Sequence, residues 1–133
     1  MNELATAIMT KIRSGGAASD VYEAVSSDFY YGQVPADVSM PYITFDFLST
    51  VDRRCFSAGA SFDETAVSFT IYDDRRVTSD VAGLVADLDG VFNRATLTFG
   101  TQTHVGCSRA SIIGPTRMED CWQTTADYLV NYK

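Results

Sequence analysis

The residues best suited to metal chemistry are His104 and Cys107, an H-x-x-C pair, with Cys121 as a third candidate ligand. A tetrahedral zinc site takes four ligands, usually supplied as two tight pairs. If this stretch is a strand, successive side chains alternate in direction, and His104 and Cys107 face opposite sides. We therefore predict no metal site and no cofactor.

The same residues are the candidates for a cysteine nucleophile with a histidine base. Such a pair needs an orienting partner and characteristic flanking residues, and neither is present around Cys107. His104 is also the only histidine, so a serine triad has no other histidine base. We predict no catalytic residues and a protein that is not an enzyme.

Two carboxylates, Asp73 and Asp74, stand beside Arg75 and Arg76 between a strand and a helix. Paired carboxylates bind magnesium or perform acid–base chemistry. With two arginines adjacent, the alternative is a solvated turn whose charges compensate one another. We interpret this turn as surface that is available to a subunit interface.

Arg53 and Arg54 lie in a long polar segment and offer guanidinium groups to a phosphate or to a neighbour's carboxylates. The alternative is that both are simply solvated. Trp122 is either a binding hot spot or a cover for the core edge. The predicted interface for subunits or a tube protein consists of Arg53, Arg54, Phe56, Asp73, Asp74, Arg75 and Arg76.

The elements that position these residues follow from hydrophobic periodicity. The clearest is an apolar helical stripe that follows a cap at Thr78 or Ser79 and consists of Val81, Leu84, Val85, Leu88, Val91 and Phe92. A second helix is predicted over residues 2–13, and Asp20 is expected to cap a short turn over 21–26. Strands are predicted over 29–31, 42–49, 65–72, around Leu97 and Phe99, over 104–113 until Gly114-Pro115, and over 122–132.

These elements predict an α+β fold in one domain, residues 1–133, with a mainly antiparallel sheet of about five strands and two helices packed on one face. The expected core places a strand face beneath helical residues: Phe45, Phe47, Val67, Phe69 and Ile71 beneath Ile8, Leu84 and Leu88. The expected opposite face is half polar: Thr44, Ser68, Thr70, Thr124 and Tyr128.

Composition excludes several functional classes. The formal net charge is −7 and only two lysines are present, Lys11 and Lys133, which argues against a protein that grips nucleic acid phosphates. No apolar run approaches the roughly 20 residues that span a bilayer, and no secretory signal is recognised. Three well-separated cysteines indicate free thiols in a reducing cytosol.

Four segments together resemble the tail completion proteins of tailed phages, also called tail terminators, whose relatives occur in phage-like tail particles. They are FYYGQVPADVSMPYITFDF, FDETAVSFTIYDD, SDVAGLVADLDGVF and EDCWQTTADYLVNY. The matching features are an aromatic-Gly-x-x-Pro turn at Gly32 and Pro35, a strand that begins at Pro41-Tyr42, a strand–turn–helix unit and an alternating strand from Trp122 to Tyr132.

The resemblance implies a structural virion protein, made in the host bacterial cytoplasm, that assembles as a ring of usually six subunits at the head–tail junction. The implied partners are further copies of the chain, the tail tube protein and the head–tail connector protein. DNA would pass through the bore without specific binding, and no membrane is involved. Because acidic walls do not bind phosphate, we hypothesise that some of Asp73, Asp74, Asp87 and Asp89 line the bore or the subunit seams.

Two alternatives remain open. One is a head-completion, connector-stopper or minor capsid protein at the same joint. The other is a small-ligand-binding or hydrolytic α+β domain, which a concave pocket lined by His104 and Cys107 would favour. Within the ring hypothesis, the predicted polar arm over residues 50–61 contacts a neighbouring subunit or the tube.

Overall fold

The structure is a computed structural model, and it describes residues 2–54, 61–74, 78–97, 104–118 and 120–132. These residues form three helices: α1 (Asn2–Ile12), α2 (Ala17–Ala24) and α3 (Thr78–Phe92). They form five strands: β1 (Phe29–Tyr31), β2 (Tyr42–Arg54), β3 (Ser61–Asp73), β4 (His104–Arg117) and β5 (Trp122–Tyr132).

The five strands make one sheet in the order β1-β2-β3-β5-β4. β1 runs parallel to β2, whereas the other three pairings are antiparallel. The α+β class and the number of strands are confirmed, but the prediction of a mainly antiparallel sheet is corrected to a mixed sheet. The parallel pair arises because α2 ends at Ala24 and the following turn leads β1 beside Ile43–Phe45, in the direction of β2.

The described residues form three helices rather than the predicted two, because residues 17–24 form a full helix instead of a short turn over 21–26. α2 starts before Asp20, the predicted cap, and its N-cap residue is Gly16 at φ 62° with no side-chain capping bond. Its stability comes from burial, since Ala18, Val21 and Val25 lie in the core.

β2 and β3 form a hairpin longer than predicted. Pairing continues to Arg54 opposite Ser61, so the described ends of the segment 50–61 belong to strands. The prediction of a polar connection over that whole range is therefore wrong. The register shifts between Phe47 and Ser49, which leaves Leu48 as the extra residue of a β-bulge.

β4 continues through Gly114-Pro115, where the sequence predicted its end. Gly114 makes this continuation sterically feasible, because its φ is +108° and a Cβ at this position would lie 2.8 Å from the Gln123 carbonyl oxygen. The shift of pairing between Ile113 and Thr116 absorbs the irregularity. The predicted short strand is absent at Leu97, which is not in a strand, and Phe99 lies outside the described residues.

The helices pack on one sheet face, as predicted, and the buried residues form a single cluster with strand residues such as Phe45, Val67 and Ile71. Phe47 is only partly buried against that cluster. Thr124 and Tyr128 were expected on the opposite face, and this expectation is wrong. They pair with Ile71 and Val67 and are 0% and 1% exposed, so they belong to the core face.

The face opposite the helices carries, among the described residues, Thr44, Asp46, Ser68, Thr70, Thr125 and Asp127. We call it the open face. None of the helices in the described part of the chain is long and apolar enough to cross a membrane.

Candidate interaction surfaces

A hydrogen-bonded cluster ties α3 to the last two strands of the sheet. The Tyr128 hydroxyl donates to Asp89 Oδ1 at 2.7 Å, and Arg109 Nη1 donates to Asp89 Oδ2 at 3.0 Å. Asn93 adds a third link, because its Oδ1 accepts the backbone N–H of Arg109 at 3.1 Å. Both oxygens of one carboxylate are thus occupied, and Asp89 acts as a clamp between helix and sheet.

Aromatic side chains of the core pack against the Tyr128 ring. Phe69 lies 4.6 Å from Phe92 in a stacked arrangement and 5.6 Å from Tyr128 in an edge-on one, between ring centroids. Burial of the phenol, followed by its hydrogen bond to Asp89, raises the pKa of Tyr128 well above its ordinary value. The hydroxyl is therefore a permanent donor at neutral pH, which fits a structural role.

Cys107 is a buried thiol whose Sγ donates to the Phe92 carbonyl oxygen at 3.1 Å. Burial raises its pKa to about 11, partly opposed by a backbone hydrogen bond from Ala95. The raised pKa lowers the thiolate fraction of Cys107 at neutral pH, and the thiolate is the nucleophilic form. Burial therefore argues against Cys107 as a nucleophile.

The ligand set considered for zinc is not assembled. Cys107 pairs with Val130, whereas Cys121 directly precedes Trp122, nine residues away along β5. At about 3.3 Å per residue, the two thiols are separated by roughly 30 Å. The side chain of His104 lies outside the described part. No group of three His, Cys, Asp or Glu side chains among the described residues is arranged to hold a metal.

The predicted interface residues fall into three groups. Asp73 is fully buried at the end of β3, opposite Trp122, so its interpretation as a solvated turn residue is wrong; Asp74 is exposed. Arg53 and Arg54 have their backbones in β2, and their side chains are outside the described part. Phe56, Arg75 and Arg76 lie outside the described residues altogether.

Trp122 is half-buried, and the Arg117 guanidinium carbon lies 5.6 Å from its ring centroid. This placement supports the interpretation of Trp122 as cover at the core edge. Of the acidic residues proposed to line a bore or seam, Asp87 is exposed on α3, while Asp89 is engaged by Tyr128 and Arg109.

Two sheet edges expose large apolar side chains, and the sequence predictions missed both. Tyr31, Leu48 and Val51 are 47%, 61% and 42% exposed at the β1–β2 edge. Ile113 and Met118 are 63% and 48% exposed at the β4 edge. The only sequence signal was the consecutive pair Phe47-Leu48, which breaks the apolar–polar alternation of β2.

The β4 edge also contains a cavity of about 470 Å³. It is lined by the segment that follows α3 and by the start of β4: Arg94, Ala95, Thr96, Gly106, Cys107 and Ser108, with Asn131 from β5. We call it the β4 cavity. It includes Cys107, one of the two residues whose presence in a pocket would favour a ligand-binding domain.

Comparison with known proteins identifies the fold. A chain in the virion of the native gene transfer agent particle superimposes with a TM-score of 0.78 at 11% identity, covering 98% of this chain and 95% of that one. This chain has the fold of that virion chain. A second solved structure matches with a TM-score of 0.61 at 12% identity, covering 97% of this chain and 94% of its own.

No protein-family model and no curated protein matches the sequence. Membership of the tail terminator family therefore stays a prediction.

Proposed function

We propose that this protein is a structural component of a phage-like virion and assembles as a homo-oligomeric ring of six subunits. The ring ends the tail tube and joins it to the head connector, and the protein performs no catalysis. The observation that carries the proposal is the fold shared with a gene transfer agent virion chain over 98% of this sequence. The phage-type sequence features at Gly32, Pro35 and Pro41-Tyr42 support it independently.

The surface chemistry is compatible with a ring through which DNA passes. Asp46, Asp74 and Asp87 are exposed acidic side chains, and carboxylates repel the phosphate backbone. Four acidic residues were predicted to line the bore or a seam. Asp73 is buried and Asp89 is hydrogen-bonded to Tyr128, so Asp74 and Asp87 remain for that role. Charge reversal of both should impair assembly or DNA passage, and unchanged behaviour in both assays would remove them from that role.

Native mass spectrometry of the full chain, alone and mixed with the tail tube protein of the same particle, tests the function directly. The expected result is a species of six protomers that forms alone or on the tube. A strictly monomeric protein under both conditions would overturn the proposal. Binding to a connector protein but never to the tube would instead favour a head-completion or connector-stopper protein.

The second candidate is a small-ligand-binding domain, and the β4 cavity is the observation in its favour. Burial of the Cys107 thiol, which raises its pKa, weighs against the hydrolytic version of this candidate. A melting temperature that rises with a metabolite mixture, in a protein that stays monomeric, would favour this candidate over the ring.

A further inference from the structure

The second half of β2 forms an uncovered edge of the sheet. β1 pairs only with Ile43–Phe45, so no described strand pairs with the outer side of β2 beyond that point. The bulge at Leu48 projects a side chain that is 61% exposed, and Val51 follows at 42%. We call Leu48 and Val51 the edge knob. An uncovered edge with exposed apolar residues is a typical site of association.

The opposite edge of the sheet offers a recess instead of a protrusion. At β4 the Cys107 carbonyl oxygen accepts the N–H of Arg94 at 2.9 Å, and the N–H of Arg109 donates to Asn93 Oδ1 at 3.1 Å. These outward backbone groups are therefore already satisfied by the segment after α3. At Cys107 and Arg109 the edge therefore offers a partner side-chain packing and not an extension of the β-ladder.

The edge knob and the β4 cavity lie at the same height of the sheet. The register runs from Ser49 through Ala66 and Leu129 to Ser108, and from Val51 through Glu64 and Asn131 to Gly106. Ser49 and Val51, which follow Leu48, therefore lie at the same position along the strand direction as the cavity residues Ser108 and Gly106, on the opposite edge of the sheet. We take the axis of the proposed ring to run along the strands. Rotation about such an axis involves no translation, so it brings features of equal height together.

Charge at the two edges is complementary. Arg94, on the rim of the β4 cavity, is exposed and has no ion pair among the described residues. Asp46 is exposed on β2, two residues before the edge knob, in the row of Ser68, Asp127 and Ser111. That row is two residues along β5, or about 7 Å, from the row of Leu129 and Ser108. A protrusion with an acidic neighbour and a recess with a basic rim fit a heterologous contact, in which two different surfaces of identical chains meet.

We propose that the occupant of the β4 cavity is a second copy of this chain, whose Leu48 and Val51 insert into it to form the head-to-tail seam of the ring. The inference rests on the proposed function, because a repeated heterologous contact that closes on itself produces a ring. This contact specifies which two surfaces of the chain meet at each subunit interface, whereas the proposed ring alone does not. Insertion buries two apolar side chains that the monomer exposes to water.

Disulfide trapping tests the seam. The variant to be tested carries Leu48→Cys and Ser108→Cys in a Cys55→Ser background. Its two other thiols, Cys107 and Cys121, are buried. β2 and β4 are three strand spacings apart, or about 14 Å, whereas a disulfide requires Cα atoms within about 7 Å. Any bond between the two positions therefore joins different protomers.

After oxidation of assembled protein, a non-reducing gel should show a ladder that ends at the protomer number found by native mass spectrometry. Each single cysteine variant should give no such ladder. A ring of proven mass with no cross-link would overturn the seam and leave the proposed function standing. Cross-linked dimers alone would show a symmetric contact and also overturn it. A monomer under all conditions would overturn both proposals.

A second variant separates assembly from folding. Leu48→Asp should abolish the ring and keep the monomer's melting temperature within about 2 °C, because the side chain is mostly exposed. Leu48→Met, which keeps the apolar side chain, should assemble as the wild type does. Normal rings from Leu48→Asp would refute the role of the edge knob.

Discussion

The Tyr128 hydroxyl lies 2.7 Å from Asp89 Oδ1, and this bond joins β5 to α3. Tyr128 is 1% exposed and packs edge-on against Phe69, so the geometry of the hydroxyl is fixed by the core. The other oxygen of Asp89 accepts Arg109 from the edge strand. One carboxylate thus connects α3, β4 and β5, and it stabilises the side of the sheet that contains the β4 cavity.

Tyr128→Phe removes the hydroxyl and leaves Asp89 with a half-buried oxygen that has lost its donor. We expect the free energy of unfolding to fall by about 1–3 kcal/mol, as measured by urea denaturation. Tyr30→Phe is a matched control, since Tyr30 also donates to a carboxylate, Asp28 Oδ1 at 2.7 Å, but is only partly buried, whereas Tyr128 is 1% exposed. Equal effects of the two substitutions would contradict the structural importance of the Tyr128 bond.

Cys107 makes the protein sensitive to alkaline pH. Its pKa is about 11 in the folded state against 9.0 for an ordinary thiol, so the folded state holds its proton more tightly. Its stabilising contribution is complete below pH 9 and is lost as the pH rises toward 11, by up to about 1.4 kcal/mol per pH unit. Urea unfolding between pH 7 and 11 measures this slope.

In Cys107→Ala the fall in stability above pH 9 should be shallower than in the wild type. The quantity compared is the slope of the unfolding free energy against pH, so a general loss of stability from the substitution cancels. The contribution of Tyr128, whose pKa is also raised, is common to both proteins and cancels as well. Parallel slopes for the two proteins would show that the Cys107 thiol is not protected by burial.

Gly114 is required by the backbone of β4. Gly114→Ala would place a Cβ 2.8 Å from the Gln123 carbonyl oxygen at φ +108°, and we expect a loss of about 2 kcal/mol or more in unfolding free energy. Gly83→Ala is the matched control. Gly83 lies within α3 with nothing within 4 Å of an added Cβ, so alanine should stabilise by about 0.5–1 kcal/mol. Thermal unfolding of both variants checks the opposite signs.

Thr124 carries a fully buried hydroxyl that has no hydrogen-bond partner among the described residues. Because an unpaired buried hydroxyl costs free energy, Thr124→Val should be neutral or raise the free energy of unfolding by about 1 kcal/mol. Thr65 provides the contrast, since its Oγ1 lies 2.9 Å from both Thr50 Oγ1 and the Tyr132 hydroxyl. Thr65→Val should destabilise, and a gain in stability at Thr65 would contradict this network.

Much of the fold could be predicted from local periodicity. Neighbouring residues are enough to predict the apolar stripe of α3 and the alternating pattern of β3 and β5. Each of these elements buries one side, so apolar residues recur at the period of the helix or the strand. The side of β5 that faces the helices was nevertheless predicted wrongly. Its alternation carries the signal, because Ala126, Tyr128 and Val130 share one side and Leu129 is the one apolar residue on the other. The pairing of Val67 with Tyr128 places the apolar side inside.

Predictions of element ends and surfaces failed where distant residues decide them. Asp73 looks like a turn residue beside Asp74, yet β3 extends to it and Trp122 pairs opposite. Gly114-Pro115 looks like a strand end, yet pairing with β5 carries β4 past it. In both places cross-strand hydrogen bonding outweighs local preference.

By itself the sequence determined an acidic α+β chain, the main helix and the strand cores, because composition and short-range periodicity carry that information. Only the tertiary structure decided that the sheet is mixed, that Asp89 clamps α3 to two strands, and that Leu48 and the β4 cavity lie level at opposite edges. Those relationships join residues far apart in the chain. Asp89 bonds to Tyr128, 39 positions later, and the pairing register places Ser49, next to Leu48, in the row of Ser108, 59 positions later.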